Sequence, residues 1–257
     1  MFTFLGLGVC VCDKCFGAMV LRRFVRSLLD YLGVGFVRDE LMGFVDLIED
    51  KGLGEKVRGF LVDPPAGFDA SCLPLGVCPG GAYQHHSYAG GLLEHTVSVV
   101  RVSLALCDIV EELYGGEVNR DAVVAGAVLH DVMKCYCYEE VEGGGFRGSD
   151  FGGRVDHLTL MVGELMVRGF PLEVVHVVAA HHGDVGPTKP RSLEALIVSI
   201  ADLADSEFNG KLLRSAEYLL RRGGVSRPRL GSAGEAVGVV QVKEREGWSG
   251  AVGEGKG

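Results

Sequence analysis

AGAVLHDVMK, residues 125–134, runs five small or apolar residues into His130-Asp131 and closes on Lys134. Working outward from it, four further stretches carry the same residue types. They are GLLEHT (91–96) with His95, DHLTL (156–160) with His157, AAHHGD (179–184) with His181 and His182, and IADLAD (200–205) with Asp202. All eight histidines of the chain fall between His85 and His182. A set spread over so much sequence is no local metal loop and has to be assembled from several helices. That geometry suits one or two divalent cations in the core of a helical bundle, a hydrolase-type site.

The local patterns agree with helices. Residues 91–113 read as one long helix ended by Gly115-Gly116, and Asn119 as the N-cap of a helix over 120–135. Asp156 caps 157–168, which stops at Gly169. Pro171 suits the first turn of 171–182, and Ser192 caps 193–208. Between these helices, Glu139 to Gly153 is Gly-rich and polar and reads as a flexible excursion. Upstream, Leu41, Phe44, Val45 and Ile48 recur at i, i+3, i+4, i+7 and make one apolar helix face. Residues 63–81, rich in Pro and Gly, read as a long loop.

The expected organisation is therefore all-α. Residues 1–22 are an uncertain leader, in which translation starting at Met19 is one reading. Residues 23–80 are a helical N-terminal extension and loop, and 81–222 are the histidine-bearing bundle. Residues 223–257 are a flexible tail with 10 glycines in 35 residues, expected to be disordered, with a short strand at Glu235–Val242 as the alternative.

Composition narrows the function. Apolar residues make up 47 % of the 257, enough for a sizeable core, and the formal net charge is −9. That charge disfavours a long nucleic-acid track, which needs a basic footprint. It leaves a small anionic substrate open, because a bound metal supplies local positive charge. No apolar run reaches the roughly 18 residues of a membrane helix, and the N-terminus lacks the basic start of a signal peptide. The chain reads as cytoplasmic, with no membrane partner, and homo-oligomer formation is left open. Cys10, Cys12 and Cys15 form CxCxxC without a fourth ligand nearby and read as leader thiols. Cys135 and Cys137 read as packing residues. His176 reads as a hydrogen-bonded histidine outside the site.

The ligand chemistry can be written residue by residue. A His and a carboxylate side by side, His130 and Asp131, can share one metal, and the second carboxylate oxygen can bridge to another. His95 and Asp202 complete a first His-His-Asp-Asp set. Asp202 is preferred to Asp205 because Ile200, Ala201 and Leu203 flank it and suggest a position nearer the core. Asp131, His157 and His181 form a second set, with His182 as a third ligand or a phosphate contact. Lys134, four residues after His130, can meet a phosphate oxygen, so Asp131, Lys134 and His182 are the candidate catalytic groups. In AYQHHSYAGG (82–91), His86 and Ser87 are candidate substrate contacts beside small residues that let backbone approach a ligand. Iron(II) or manganese(II) fits the mixed nitrogen and oxygen donors.

The order H…HD…H…HH…D resembles the HD-domain superfamily of metal-dependent phosphohydrolases over roughly 82–208. The resemblance rests on GGAYQHHSYAGGLLEHT, AGAVLHDVMK, DHLTL, VVAAHHGD and SLEALIVSIADLADS. It implies an all-helical bundle lined by the ligands named above. The usual motif continues HDxGK; here Met133 replaces the glycine, which is expected to reshape the pocket beside Lys134. Two branches are similar. One is the HD-type 3′–5′ exoribonucleases, which share the HHSY…GLL.HT stretch. The other is an archaeal branch of iron-dependent phosphodiesterases of methanopterin biosynthesis, which open 7,8-dihydroneopterin 2′,3′-cyclic phosphate to its 2′- and 3′-monophosphates. HDVMKCYCY, AAHHGDVGPTKP and SIADLADSE resemble this second branch, and it is preferred. It implies a small phosphorylated substrate, with Tyr83, Tyr88, Tyr136 and Phe151 as candidates to stack on a flat ring. A di-iron oxygenase and a non-catalytic nucleotide-binding module stand as rivals.

Overall fold

The computed structural model describes residues 3–5, 9–11, 39–62 and 71–253. Cys12, Cys15, Met19 and residues 23–38 of the expected extension lie outside them. Strands β1 (Thr3–Leu5) and β2 (Val9–Val11) pair antiparallel. The rest is helical: α1 over 39–45, α2 (Lys51–Val62), α3 (Gly91–Glu112), α4 (Arg120–Leu129), α5 (Lys134–Cys137), α6 (His157–Val167), α7 (Leu172–Ala180), α8 (Leu193–Arg222) and α9 (Ala233–Gly253). A second hairpin, β3 (Tyr138–Glu140) and β4 (Phe146–Gly148), joins α5 to α6.

Helix α4 is the centre of the bundle. Every residue from Ala122 to Leu129 is buried, as expected of a helix apolar on all sides. It packs against α2, α3, α7 and α8. Its N-terminus is tied to three neighbours. Asn119 Oδ1 accepts from the Ala122 N–H at 3.1 Å, the capping bond expected from the sequence. The Asn119 N–H donates to Glu194 Oε1 at the start of α8, and Asn119 Nδ2 donates to Glu173 Oε2 at the start of α7. Asp121 accepts from the Glu49 and Asp50 N–H groups, both at 2.8 Å, and so seats the segment leading into α2.

Asp156 and Ser192 cap α6 and α8 as read from the sequence, accepting from the Thr159 and Ala195 N–H groups. Four expectations are corrected. The helix begun at Arg120 does not run to 135; it ends at Leu129, turns through His130–Met133 and resumes as α5. The 139–153 excursion holds an antiparallel hairpin, with Glu139 opposite Arg147 and a turn at Gly143–Gly145 in which all three φ angles are positive. Only glycine takes up such a run without strain.

The third correction is to α8, which continues past 208 to Arg222. Its second half keeps a buried stripe at Leu213, Ala216, Leu219 and Leu220. The fourth is to the tail, which is neither disordered nor a strand over the residues described. Ala236 and Val239 of α9 pack on that stripe of α8 and on Tyr88. The glycines of the tail dilute the periodicity but leave Ala233, Ala236, Val239 and Val240 on one helical face.

Helices α4 and α7 pack tightly at Gly126. A Cβ there would lie 2.2 Å from Val177 Cγ1 and 2.8 Å from Val177 Cβ, on α7. Val177 is β-branched and stiff at χ1, so it cannot swing aside. Gly126→Ala is expected to push α4 from α7 and cost about 1–3 kcal/mol of stability, read from urea unfolding. An unchanged midpoint would contradict this packing.

Candidate metal centre

His130 and His181 reach the site by the same device. Each is the C-cap of an apolar helix, α4 and α7 respectively. Each ring lies 2.7 Å through Nδ1 from the carbonyl oxygen three residues earlier, of Ala127 and of Val178. A carbonyl only accepts, so Nδ1 carries the proton and a neutral ring offers Nε2 as an acceptor. His95, on the buried face of α3, is held by a carboxylate: its Nδ1 lies 2.6 Å from Asp205 Oδ2.

These rings converge on Asp131, whose side chain is only 1 % exposed. On the Oδ2 side, His95 Nε2 lies at 3.4 Å and His130 Nε2 at 3.3 Å, and the two nitrogens are 3.2 Å apart. Asp202 Oδ1 joins them, 3.2 Å from His95 Nε2. On the Oδ1 side lie His157 Nε2 at 3.2 Å and His181 Nε2 at 3.6 Å. His182 stands against His181, ring centroids 4.0 Å apart. Asp131 thus sits between a His95–His130–Asp202 group and a His157–His181–His182 group, within each of which the ligand atoms lie within 4.8 Å of one another.

The donor set fits a divalent cation. Asp131 Oδ1, His157 Nε2 and His181 Nε2 are buried and make no hydrogen bond. Unpaired buried acceptors of this kind are costly, and several converging on one point are resolved by a positive ion. Seven nitrogen or carboxylate donors of mixed type match the preferences of a divalent transition metal rather than calcium.

The electrostatics are those of a site built around negative charge. Burial opposes ionisation of Asp131, but Lys134 and His130 outweigh it and hold the carboxyl well below its usual range. Lys134 Nζ lies 2.5 Å from Asp131 Oδ2 and donates to the Gly80 carbonyl at 2.9 Å. Burial works against a proton on His95 as well, yet Asp131, Asp202 and Asp205 raise its pKa well above 6.5. Burial and His130 push His181 down to about 3, so its ring is neutral and ready to ligate.

A cavity of about 780 Å³ opens onto this cluster, lined on the cluster side by His85, Lys134, His182 and Asp202. His157 and His182 also border a second hollow with Pro187 and Thr188. The structure therefore gathers all seven residues expected as ligands, and Lys134 with them. Three other expectations change. His86 is buried behind His95, its N–H donating to Asn209 Oδ1 at 2.7 Å; its neighbour His85 lines the cavity instead. Ser87 faces a separate groove with Tyr83, Tyr88 and Glu217. None of the four aromatics proposed to stack on a ring lines the cavity: Tyr83 and Tyr88 border that groove, Tyr136 another hollow, and Phe151 packs on the core.

The ground for preferring Asp202 is also corrected. Asp205 is the more buried, with side-chain exposures of 8 % against 15 %, and Ile200 and Leu203 are exposed. Asp202 faces the cavity side of His95, while Asp205 grips the back of the same ring. Both belong to the cluster, and the sequence signal was their shared helix face three residues apart. Asn209, a turn further on, was missed; it holds the 80–91 loop in place through His86. That loop closes tightly: a Cβ on Gly91 would lie 2.1 Å from the His86 carbonyl oxygen, and His86 has φ 44°. Met133 is buried in the core and does not border the cavity, so the departure from HDxGK fills interior space. Cys135 and Cys137 are buried, and His176 Nε2 accepts from the Arg191 N–H.

Two outcomes follow for cation binding. A cation at His95 has to displace the proton held there, so binding is expected to release a proton and to tighten as pH rises towards the raised pKa of His95. Calorimetric titration with manganese(II) in buffers of different ionisation heat measures this; zero release would contradict it. Asp205→Ala removes no donor facing Asp131 but frees the back of His95, and is expected to weaken manganese(II) about 10–100-fold. Equal affinity would show that the Asp205 contact is incidental.

The HD domain family model matches residues 92–206, from the start of α3 to just beyond Asp205. The dihydroneopterin 2′,3′-cyclic phosphate phosphodiesterase of Methanocaldococcus jannaschii is 43 % identical over 212 residues, 81 % of this chain and 85 % of that protein. The 3′–5′ exoribonuclease YhaM of Oceanobacillus iheyensis is 32 % identical over 143 residues, 51 % of this chain and 43 % of that protein. That of Bacillus subtilis is 28 % identical over the same length. No solved structure matches the chain. Among the described residues no helix is long and apolar enough to cross a membrane. With the family model centred on the His95–Asp205 cluster, and a relative sharing most of its length, the chain belongs to the HD-domain family.

Proposed function

We propose that this chain is a metal-dependent phosphodiesterase of the cytoplasm that opens 7,8-dihydroneopterin 2′,3′-cyclic phosphate to its 2′- and 3′-monophosphates. The observation that carries the reading is the 43 % identity to the Methanocaldococcus enzyme across 85 % of its length. The exoribonuclease relatives match over about half of this chain and under half of their own, and a net charge of −9 suits a small ester better than RNA.

His95, His130, Asp131 and Asp202 would hold one cation, and Asp131, His157 and His181, with His182, a second. Iron(II) and manganese(II) are the ions proposed. When bound, the metal supplies Lewis acidity towards phosphoryl oxygens and a water that loses its proton readily. The remaining work falls to the chain. Lys134 is fixed between Asp131 and the Gly80 carbonyl with its ammonium at the cavity wall, where it offsets phosphate charge. His182 borders the same wall, and burial, with His157 behind it, lowers its pKa, so a neutral imidazole faces the ester. Asp131, kept ionised, aligns the two histidine groups. Hydrolysis adds one water: its oxygen bonds to phosphorus, one ring P–O bond breaks, and one of the water's protons ends on the released side-chain hydroxyl.

Protein prepared without oxygen and loaded with iron(II) or manganese(II) is expected to open the pterin cyclic ester, followed by phosphorus NMR, and to leave a short RNA intact. Asp131→Ala is expected to lose both bound metal and turnover. Shortening of the RNA, or full turnover by the variant, would contradict the reading.

A further inference from the structure

The exposed apolar face of α8 lies beside the metal centre with nothing yet assigned to it. Leu196, Ile200 and Leu203 recur at i, i+4, i+7 and so share one helix face. They are 48, 46 and 58 % exposed. All three line the 780 Å³ cavity that also holds His85, Lys134, His182 and Asp202. Val185, 93 % exposed on the turn after α7, lines it too. The face meets the centre around the helix through Ser199 and Ser206, which line the same cavity between Leu203 and Asp202. Large apolar side chains left in water around a charged cluster mark a binding surface.

Resting on the phosphodiesterase reading above, we propose that Leu196, Ile200 and Leu203 form the shelf on which the flat heterocycle of the substrate lies while its cyclic phosphate reaches the His–Asp cluster. Three dimensions support this occupant. The cavity falls within the range of small-ligand sites, about 300–1,000 Å³. From Leu196 to Leu203 the helix rises roughly 10 Å, long enough to lie under two fused six-membered rings. Past Leu203, towards the C-terminal end of α8, Ser206, Glu207 and Arg214 border the cavity together with Gln84. They offer both donors and acceptors to the polar edge of an amino-oxo ring. The aromatic side chains expected to stack on the ring are elsewhere, so the ring is held by aliphatic contact.

The shelf is tested with Ile200→Asn/Leu203→Asn, two changes at exposed positions. Neopterin, which carries the ring and no phosphate, is titrated by its own fluorescence into wild type and variant. In parallel, kcat/KM is compared for the pterin cyclic ester and for glycerol 1,2-cyclic phosphate, the same five-membered cyclic diester without the heterocycle. Loss of the apolar contact is expected to weaken neopterin about tenfold or more and to lower the pterin-to-glycerol ratio of kcat/KM by a similar factor, mostly through KM. Equal neopterin affinity with an unchanged ratio would overturn the shelf while leaving the phosphodiesterase reading intact. Wild type that binds neopterin on the shelf but opens neither ester would overturn that reading, and with it the assignment of the ring as substrate. Dissociation of a wild-type dimer into monomers by the variant, with neopterin binding unaltered, would identify the face as a subunit contact and overturn the proposal.

Discussion

The fold depends on keeping the Asp131 carboxylate ionised in the middle of the protein. A carboxylate taken out of water is held only by partners of opposite charge or by donors. Here, among the described residues, Lys134 is the lysine paired with the carboxylate, and the imidazoles of His95, His130, His157 and His181 stand around it. Three of the four rings are oriented from behind, His130 and His181 by helix-end carbonyls and His95 by Asp205. Such outer contacts set which nitrogen points inward, and they govern metal affinity almost as strongly as the ligands do.

That arrangement explains why the bundle is built around α4. A helix apolar on every side can only run through the core, and whatever follows its last turn is delivered there too. His130 and Asp131 follow the last turn. The chain breaks helix immediately afterwards, which turns Asp131 inward and brings Lys134 back to within 2.5 Å of it. Helix α7 repeats the device with His181. Helix α8 does the opposite work: Asp205 and Ala201 face the interior, while Ile200 and Leu203 face the cavity and water. One helix thereby supplies a carboxylate to the centre, the support of His95 and the apolar wall beside both.

Much of this was legible in the sequence, for physical reasons that differ from residue to residue. The caps at Asn119, Asp156 and Ser192 were readable because a short polar side chain before an apolar run has few other uses. The ligand set was readable because imidazoles and carboxylates recurred on successive apolar helices. What escaped depended on contacts distant in sequence. The break after Leu129 is set by tertiary demands on Asp131, and no Gly or Pro marks it. Asp202 and Asp205 exchange their expected depths because flanking apolar residues were taken as a sign of burial, whereas Ile200 and Leu203 line a cavity. The tail helix was hidden by glycines that lower its propensity, and packing on α8 overrides them. His86 and Ser87 differ by one position from the cavity-facing His85, a distinction made by the tight 80–91 loop, in which Gly80 N–H bonds to the His86 carbonyl at 2.9 Å.

The central claim is that Asp131 and the histidines on either side of it form one cation-binding centre. Anomalous diffraction at the manganese edge, from crystals grown with manganese(II), tests it most directly. The account predicts strong peaks at Asp131, between its carboxylate and the His95–His130–Asp202 group, with a second towards His157 and His181 if two ions bind. Absence of any peak there at full loading, with Lys134 still paired to Asp131 and manganese found only at surface carboxylates, would contradict it.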